Sequence, residues 1–271
     1  VPYYRFPNRI EVWDREGNVV HTVADLPLQE EVPIAFDGVP TGPRSVQWRA
    51  DAPATLAWVE ARDGGDPAVE ADVRDEVLTL AAPFDGGPAT LAELGLRYAG
   101  IQWGNDELAL VDARWWNDRT TRTWAIAPGA GGEAAAGDPK LLWDRSWEDR
   151  YGDPGSPMTR TNDAGRSVML IDDGHLWLGA LGASPEGNRP FIDRLDPASG
   201  ETERLWRSEG PYFEVPVGVL HVEEGTLLTR RESTGEPPNY YVRDILGADE
   251  GELVALTDFP HPTPDLADVR K

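Results

Sequence analysis

The 271-residue chain has no cysteine, which excludes a disulfide-stapled scaffold, a thiolate nucleophile and a cysteine-ligated metal. Lysine is nearly missing too: Lys140 and Lys271 stand alone, and every other basic residue is arginine. No apolar run approaches the ~20 residues that a bilayer-crossing helix needs. The histidines His21, His175, His221 and His261 are dispersed, without a metal-ligand neighbour at a recognisable spacing. There is no G-x-S-x-G elbow, no glycine-rich phosphate loop and no H-E-x-x-H pair. These absences leave no catalytic residue, no metal and no cofactor to assign.

Positive charge is scarce overall, with 25 basic residues against 48 acidic ones and a net charge of −23. A nucleic acid or an anionic membrane would be approached against long-range repulsion, so neither is an expected partner. The densest acidic stretch carries Asp63, Asp66, Glu70, Asp72, Asp75 and Glu76. It could gather oxygen ligands for calcium, but it lacks the D-x-D-x-D-G order of a known calcium loop, and a solvated charged loop is the expectation. The compartment is left open.

What is present is a repeat. Short runs rich in Val, Leu, Ile, Thr and aromatics are bounded by Gly, Pro, Asp and Asn, and no stretch sustains a helical apolar period. Grouped in fours, the runs define units of about 50 residues, the length and strand count of a β-propeller blade. The units cover residues 45–94, 98–146, 157–208 and 214–260. In the third, PMTRTN, SVMLID, PFIDRLD and ETERLWR read as the four strands, and HLWLGAL as an extra run after the second. Residues 1–28 hold only RIEVWD and VVHTVADL, the match of a unit's last two strands, and residues 29–44 read as a connecting loop. The expected fold is therefore all-β: a β-propeller fragment of about four four-stranded blades plus a leading half blade. An acidic residue before a glycine-containing turn recurs at Asp14, Asp196 and Asp244, suited to a tight hairpin into an outer strand.

Several segments carry a resemblance more specific than the repeat. They are VPYYRFPNRIEVWD from Val1, TGPRSVQW from Thr41, EDRYGDPGSPMTR from Glu148, ASPEGNRPFIDR from Ala183, TERLWRS from Thr202, LTRRESTGEPPNY from Leu228 and LTDFPH from Leu256. Together they resemble the propeller region of prolyl oligopeptidase family serine peptidases, in the glutamyl peptidase branch that cleaves after acidic residues. In that family the propeller limits access to an α/β-hydrolase domain bearing Ser, Asp and His. The resemblance places the entry to that domain near Lys271, with residues 261–271 as the start of a linker, so no residue here inherits a triad role. It implies two partners: the hydrolase domain of the same parent protein, and a peptide substrate. Open blade edges also suggest self-association.

Connections between second and third strands share one face of a propeller, and the blade register places many arginines there. They are Arg5 and Arg9, Arg62 and Arg74, Arg114, Arg119 and Arg122, Arg189, and Arg230 and Arg231. A substrate glutamate suits a planar bidentate donor, which arginine supplies. Arg5, Arg9, Arg230 and Arg231 sit in the most family-like segments and are the candidate substrate-binding residues, against the alternative that each pairs with a nearby carboxylate. Tyr3, Tyr4, Trp115, Trp116, Tyr240 and Tyr241 could form a peptide platform or close the blade ends. Beside the peptidase reading stands a free-standing propeller that binds a ligand or protein as a scaffold. A propeller glycosidase fits less well, because no acid pair recurs at equivalent inner-strand positions.

Overall fold

The computed structural model describes residues 3–247, 251–263 and 265. Twenty-one strands and one single-turn helix, Tyr3–Arg5, account for its regular structure. All ladders detailed below are antiparallel. The chain divides into two compact units, the first holding residues 1–147 and 162–168, the second residues 148–161 and 169–271.

The first unit opens with a two-stranded ladder, β1 (Asn8–Trp13) and β2 (Val19–Leu26). Its turn is built as the sequence suggests: Asn18 donates its backbone N–H to Asp14 Oδ1 at 2.8 Å, and Gly17 takes φ +88°. Side-chain and backbone hydrogen bonds from Asn18 hold the Asp14 carboxyl below the usual range. Two four-stranded meanders follow. The first runs β3 (Arg44–Trp48), β4 (Thr55–Ala61), β5 (Asp75–Ala81), β6 (Ala89–Leu94), and the second β7 (Arg97–Trp103), β8 (Ala109–Trp115), β9 (Thr120–Ile126), β10 (Lys140–Ser146).

Strand alternation decides how these sheets stack. Successive side chains of a strand point to opposite faces, so Leu56 and Trp58 of β4 face one way and Ala57 and Val59 the other. Leu56, Trp58, Leu78 and Leu80 form one core with Val12 and Val23 of the leading ladder. Ala57, Val59, Val77 and Leu91 form a second with Trp103, Ala109, Val111 and Ile126 of the next sheet. The middle sheet is thus apolar on both faces, as a blade between two neighbours must be.

The second unit holds β11 (Ser156–Pro157), β12 (Thr159–Thr161), β14 (Ile171–Asp172), β15 (His175–Ala180), β16 (Phe191–Leu195) and β17 (Thr202–Arg207). Strand β13 (Ser167–Met169) lies at the division between the units. The sheet order is β11-β15-β16-β17, with β14 also on β15. This corrects one reading: HLWLGAL is not an extra run but the second strand of its sheet, in full register with β16 from Leu176↔Leu195 to Ala180↔Phe191. SVMLID looked equally strand-like because it shares the apolar pattern. Only the ladder partners distinguish them, since Val168, Met169 and Leu170 are buried as well as Leu176, Trp177 and Leu178. A last meander comprises β18 (Phe213–His221), β19 (Thr226–Glu232), β20 (Asn239–Asp244) and β21 (Leu253–Ala255). Leu170, Trp177, Ile192, Leu227 and Ile245 join the two sheets of this unit in one core.

The all-β, propeller-type sheets expected from the repeat are therefore observed. No helix among the described residues is long and apolar enough to cross a membrane.

Candidate functional site

In the first unit the segment between β2 and β3, residues 27–43, lies over the sheet ends that carry the second-to-third-strand connections. Asp37 fixes it there. The Asp37 carbonyl accepts a hydrogen bond from Arg97 Nε at 2.7 Å, and its carboxylate accepts one from the Trp116 backbone N–H at 2.9 Å. Asp37 takes φ +62°, a left-handed conformation that Asp tolerates better than most residues. Farther along, the Val39 N–H donates to the Gly65 carbonyl at 3.0 Å. A Cβ on Gly65 would stand 2.0 Å from the Val39 oxygen, so only glycine allows this approach.

Beneath the segment lies a buried charge network. Arg97 donates two hydrogen bonds to Asp63, at 2.9 and 2.7 Å, and one to Asp75 at 3.0 Å. Arg74 reaches Asp63 at 2.9 Å and also lies 4.2 Å over the Trp115 ring, while Arg44 pairs with Asp75. Both carboxylates are wholly buried. Burial alone would push the Asp63 carboxyl up, but the hydrogen bonds and charge of Arg97 override it and hold the group below its usual range. Burial likewise pulls the Arg44 guanidinium down, opposed by Asp75. Asp63 and Asp75 therefore do not belong to a solvated acidic loop, and they are committed to arginines rather than to a cation. Among the described residues no group of three or more His, Asp or Glu is placed to hold a metal.

Above the network the surface is aromatic. Phe36 stacks on Trp116 with centroids 4.3 Å apart, Trp147 lies 5.9 Å from Trp116, and the Arg119 guanidinium sits over both indoles at 4.3 and 5.7 Å. Beside Phe36 opens a pocket of about 570 Å³ lined by Arg5, Gln29, Val32, Pro33, Ile34, Ala35, Gly38 and Pro40. The Arg5 Nε is buried without an acceptor among the described residues.

The second unit repeats the charge theme at the equivalent end of its last sheet. Arg243 grips Glu214 with two hydrogen bonds, at 2.7 and 2.9 Å, and Thr229 Oγ1 donates to the same carboxylate at 2.7 Å. Arg231 approaches Glu214 only to 3.8 Å and lies 3.3 Å over the Tyr212 ring, with Tyr241 at 5.6 Å. One carboxylate thus serves two guanidinium groups.

The four candidate arginines differ sharply in this setting. Arg9 is held by Asp25 through Nε at 3.1 Å and Nη2 at 2.5 Å, with Glu11 at 3.9 Å. Arg230 meets Glu232 at 3.3 Å. Arg5 has no carboxylate partner among the described residues, and Arg231 reaches only Glu214, which it shares with Arg243. Arg5 and Arg9 belong to the first unit, Arg230 and Arg231 to the second. Of the other loop arginines, Arg62 pairs with Glu60 and Glu76 and Arg122 with Asp144, while Arg114 and Arg189 are exposed. Of the aromatics, Tyr3 is exposed, Trp115 lies under Arg74, and Trp116 and Tyr241 join the clusters above. Tyr240 is on the opposite strand face from Tyr241. The Tyr4 side chain lies outside the described residues, as do residues 264 and 266–271 of the expected linker. Arg44, Arg97, Arg243 and Glu214 went unnoticed in the sequence. Nothing local marks them, because their charge partners lie 17 to 34 residues away.

No protein-family model matches the chain. Two curated relatives match it over its whole length. The "Probable glutamyl endopeptidase, chloroplastic" of Oryza sativa subsp. japonica is 42% identical over 287 residues, and the protein of the same name from Arabidopsis thaliana is 43% identical over 288. The chain spans about three tenths of their length. Among solved structures, a puromycin-hydrolyzing peptidase of Mycobacterium tuberculosis is 17% identical, covering 94% of this chain and 36% of that one, with a TM-score of 0.39. Oligopeptidase B from Trypanosoma brucei is 14% identical over 83% of this chain and 35% of its own, also with a TM-score of 0.39. The resemblance to the glutamyl peptidase branch thus extends along the whole chain.

Proposed function

We propose that this chain is the noncatalytic propeller portion of a longer serine peptidase, where it limits access to a hydrolase domain and helps bind acidic peptide side chains. The observation that carries this reading is the 42–43% identity, end to end, with a segment of two proteins named glutamyl endopeptidase. Geometry supports the acidic preference at Arg231. Its guanidinium shares Glu214 with Arg243 and is stacked on Tyr212, so a second carboxylate arriving at this end of the sheet would meet an oriented and undercompensated donor. Arg9 and Arg230 already face carboxylates of the chain itself, Asp25 and Glu232.

The test is made in the longer polypeptide that carries the chain, with peptides differing only in Glu or Gln at the cleaved residue. Arg231→Met is expected to lower kcat/KM for the Glu peptide by about tenfold and to leave the Gln peptide within about twofold, the loss of one charge-assisted hydrogen bond. Arg230→Met serves as the control and should change neither. An unaltered Glu to Gln ratio in a folded Arg231→Met protein would dismiss the role of Arg231. Hydrolysis of a Glu ester by the purified 271-residue chain would contradict the noncatalytic reading itself.

A further inference from the structure

The pocket beside Phe36 has a composition that the reading above does not use. Its walls are apolar, contributed chiefly by Val32, Pro33, Ile34 and Phe36, and its polar lining residues are Arg5 and Gln29. Arg5 is set at the end of the single helical turn Tyr3–Arg5, and its carbonyl accepts the Gln29 N–H at 2.8 Å, so the two polar walls are tied together. The Arg5 Nε is a buried donor without an acceptor among the described residues, an arrangement less stable than a satisfied one. Beside it, Ile34 is 96% exposed and Phe36 67% exposed, large apolar surfaces that water hydrates unfavourably. A cation with no carboxylate partner among the described residues, set against an apolar cavity of about 570 Å³, calls for a ligand with one anionic group on an apolar body.

We propose that this pocket binds the C-terminal residue of a peptide, an apolar side chain filling the cavity and the terminal carboxylate meeting Arg5. A planar guanidinium matches a carboxylate through two parallel N–H donors, and Gln29 offers an amide to the preceding peptide group. The cavity is larger than one small acid requires, and the exposed Ile34 and Phe36 extend its apolar wall along an incoming chain. The proposal does not depend on the peptidase reading, since binding is a property of this chain alone and uses no residue of the Arg231 cluster.

Titration of the 271-residue protein with acetyl-Ala-Phe and with its C-terminal amide, followed by ligand-observed NMR, separates the contributions. The acid is expected to bind about tenfold more tightly than the amide, the value of one charge-assisted contact. Arg5→Met should erase that preference while retaining weak binding of both. Phe36→Ala should weaken acid and amide alike and keep their ratio. Arg5 lies outside every sheet, and an unchanged circular-dichroism melt confirms that each variant is folded. Acetyl-Glu-amide, with its charge on a side chain and no apolar group, should bind more weakly than acetyl-Ala-Phe. Equal affinity for acid and amide, a preference that survives Arg5→Met, stronger binding of acetyl-Glu-amide, or no binding of either Phe probe would each overturn the proposal.

Discussion

A guanidinium buried between two carboxylates is stable only as a complete set. Arg97 bridges Asp63 and Asp75 in a region where neither carboxylate touches solvent, and it also holds the Asp37 carbonyl. Deleting one member of such a set strands the others, at a cost of about 3–5 kcal/mol. Arg97→Met should therefore lose stability of that order at neutral pH, measured by urea unfolding; a loss under about 1 kcal/mol would refute the importance of the network. The sign with pH follows from Asp63, whose folded pKa lies below the ordinary 3.8. Its contribution is complete above the unfolded value and is lost as pH falls through the folded one, so the wild-type chain should lose stability below about pH 4. Arg97→Met should flatten that slope. Residue identity alone did not reveal any of this. Asp63 and Asp75 read as two members of a charged loop, and of the arginines that neutralise them Arg74 lies within it but Arg44 and Arg97 lie outside it, on β3 and β7.

Among the elements, the segment between β2 and β3 is held by close approach as much as by charge. Gly65 and its neighbour Gly64 have similar backbone conformations, φ +77° and +71°, but only Gly65 would press a Cβ into the Val39 carbonyl. Gly64→Ala should cost about 1 kcal/mol, the penalty of a left-handed alanine. Gly65→Ala should cost about 3 kcal/mol or more, because the clash adds to the strain and breaks the Val39 hydrogen bond. Thermal melts of the two variants compare directly, and equal losses would show that the segment yields freely. Element identity was legible wherever alternation and turn residues coincided, as in β4 with Leu56 and Trp58 opposite Ala57 and Val59. It failed at HLWLGAL, because an apolar run declares strand without declaring its partner.

For the molecule as a whole, the net charge of −23 is the dominant long-range term. Like charges repel across the folded surface, and salt shortens the reach of that repulsion from ~30 Å at 0.01 M to ~3 Å at 1 M. Raising sodium chloride from about 0.02 M to about 0.5 M should raise Tm by several degrees, since the exposed arginine pairs that salt also weakens contribute little. A fall in Tm would mean that those pairs outweigh the repulsion. The sequence by itself determined an all-β chain of repeated four-stranded sheets, because side-chain alternation and turn formation are local rules written residue by residue. It also carried, in segments such as TGPRSVQW and LTRRESTGEPPNY, the likeness to the glutamyl peptidases. Only the tertiary structure decided which arginines are committed and which still lack a carboxylate. Charge pairing acts through space: Arg97 finds Asp75 across 22 residues and Asp63 across 34, Arg231 shares Glu214 with Arg243, and Arg5 has no carboxylate partner among the described residues.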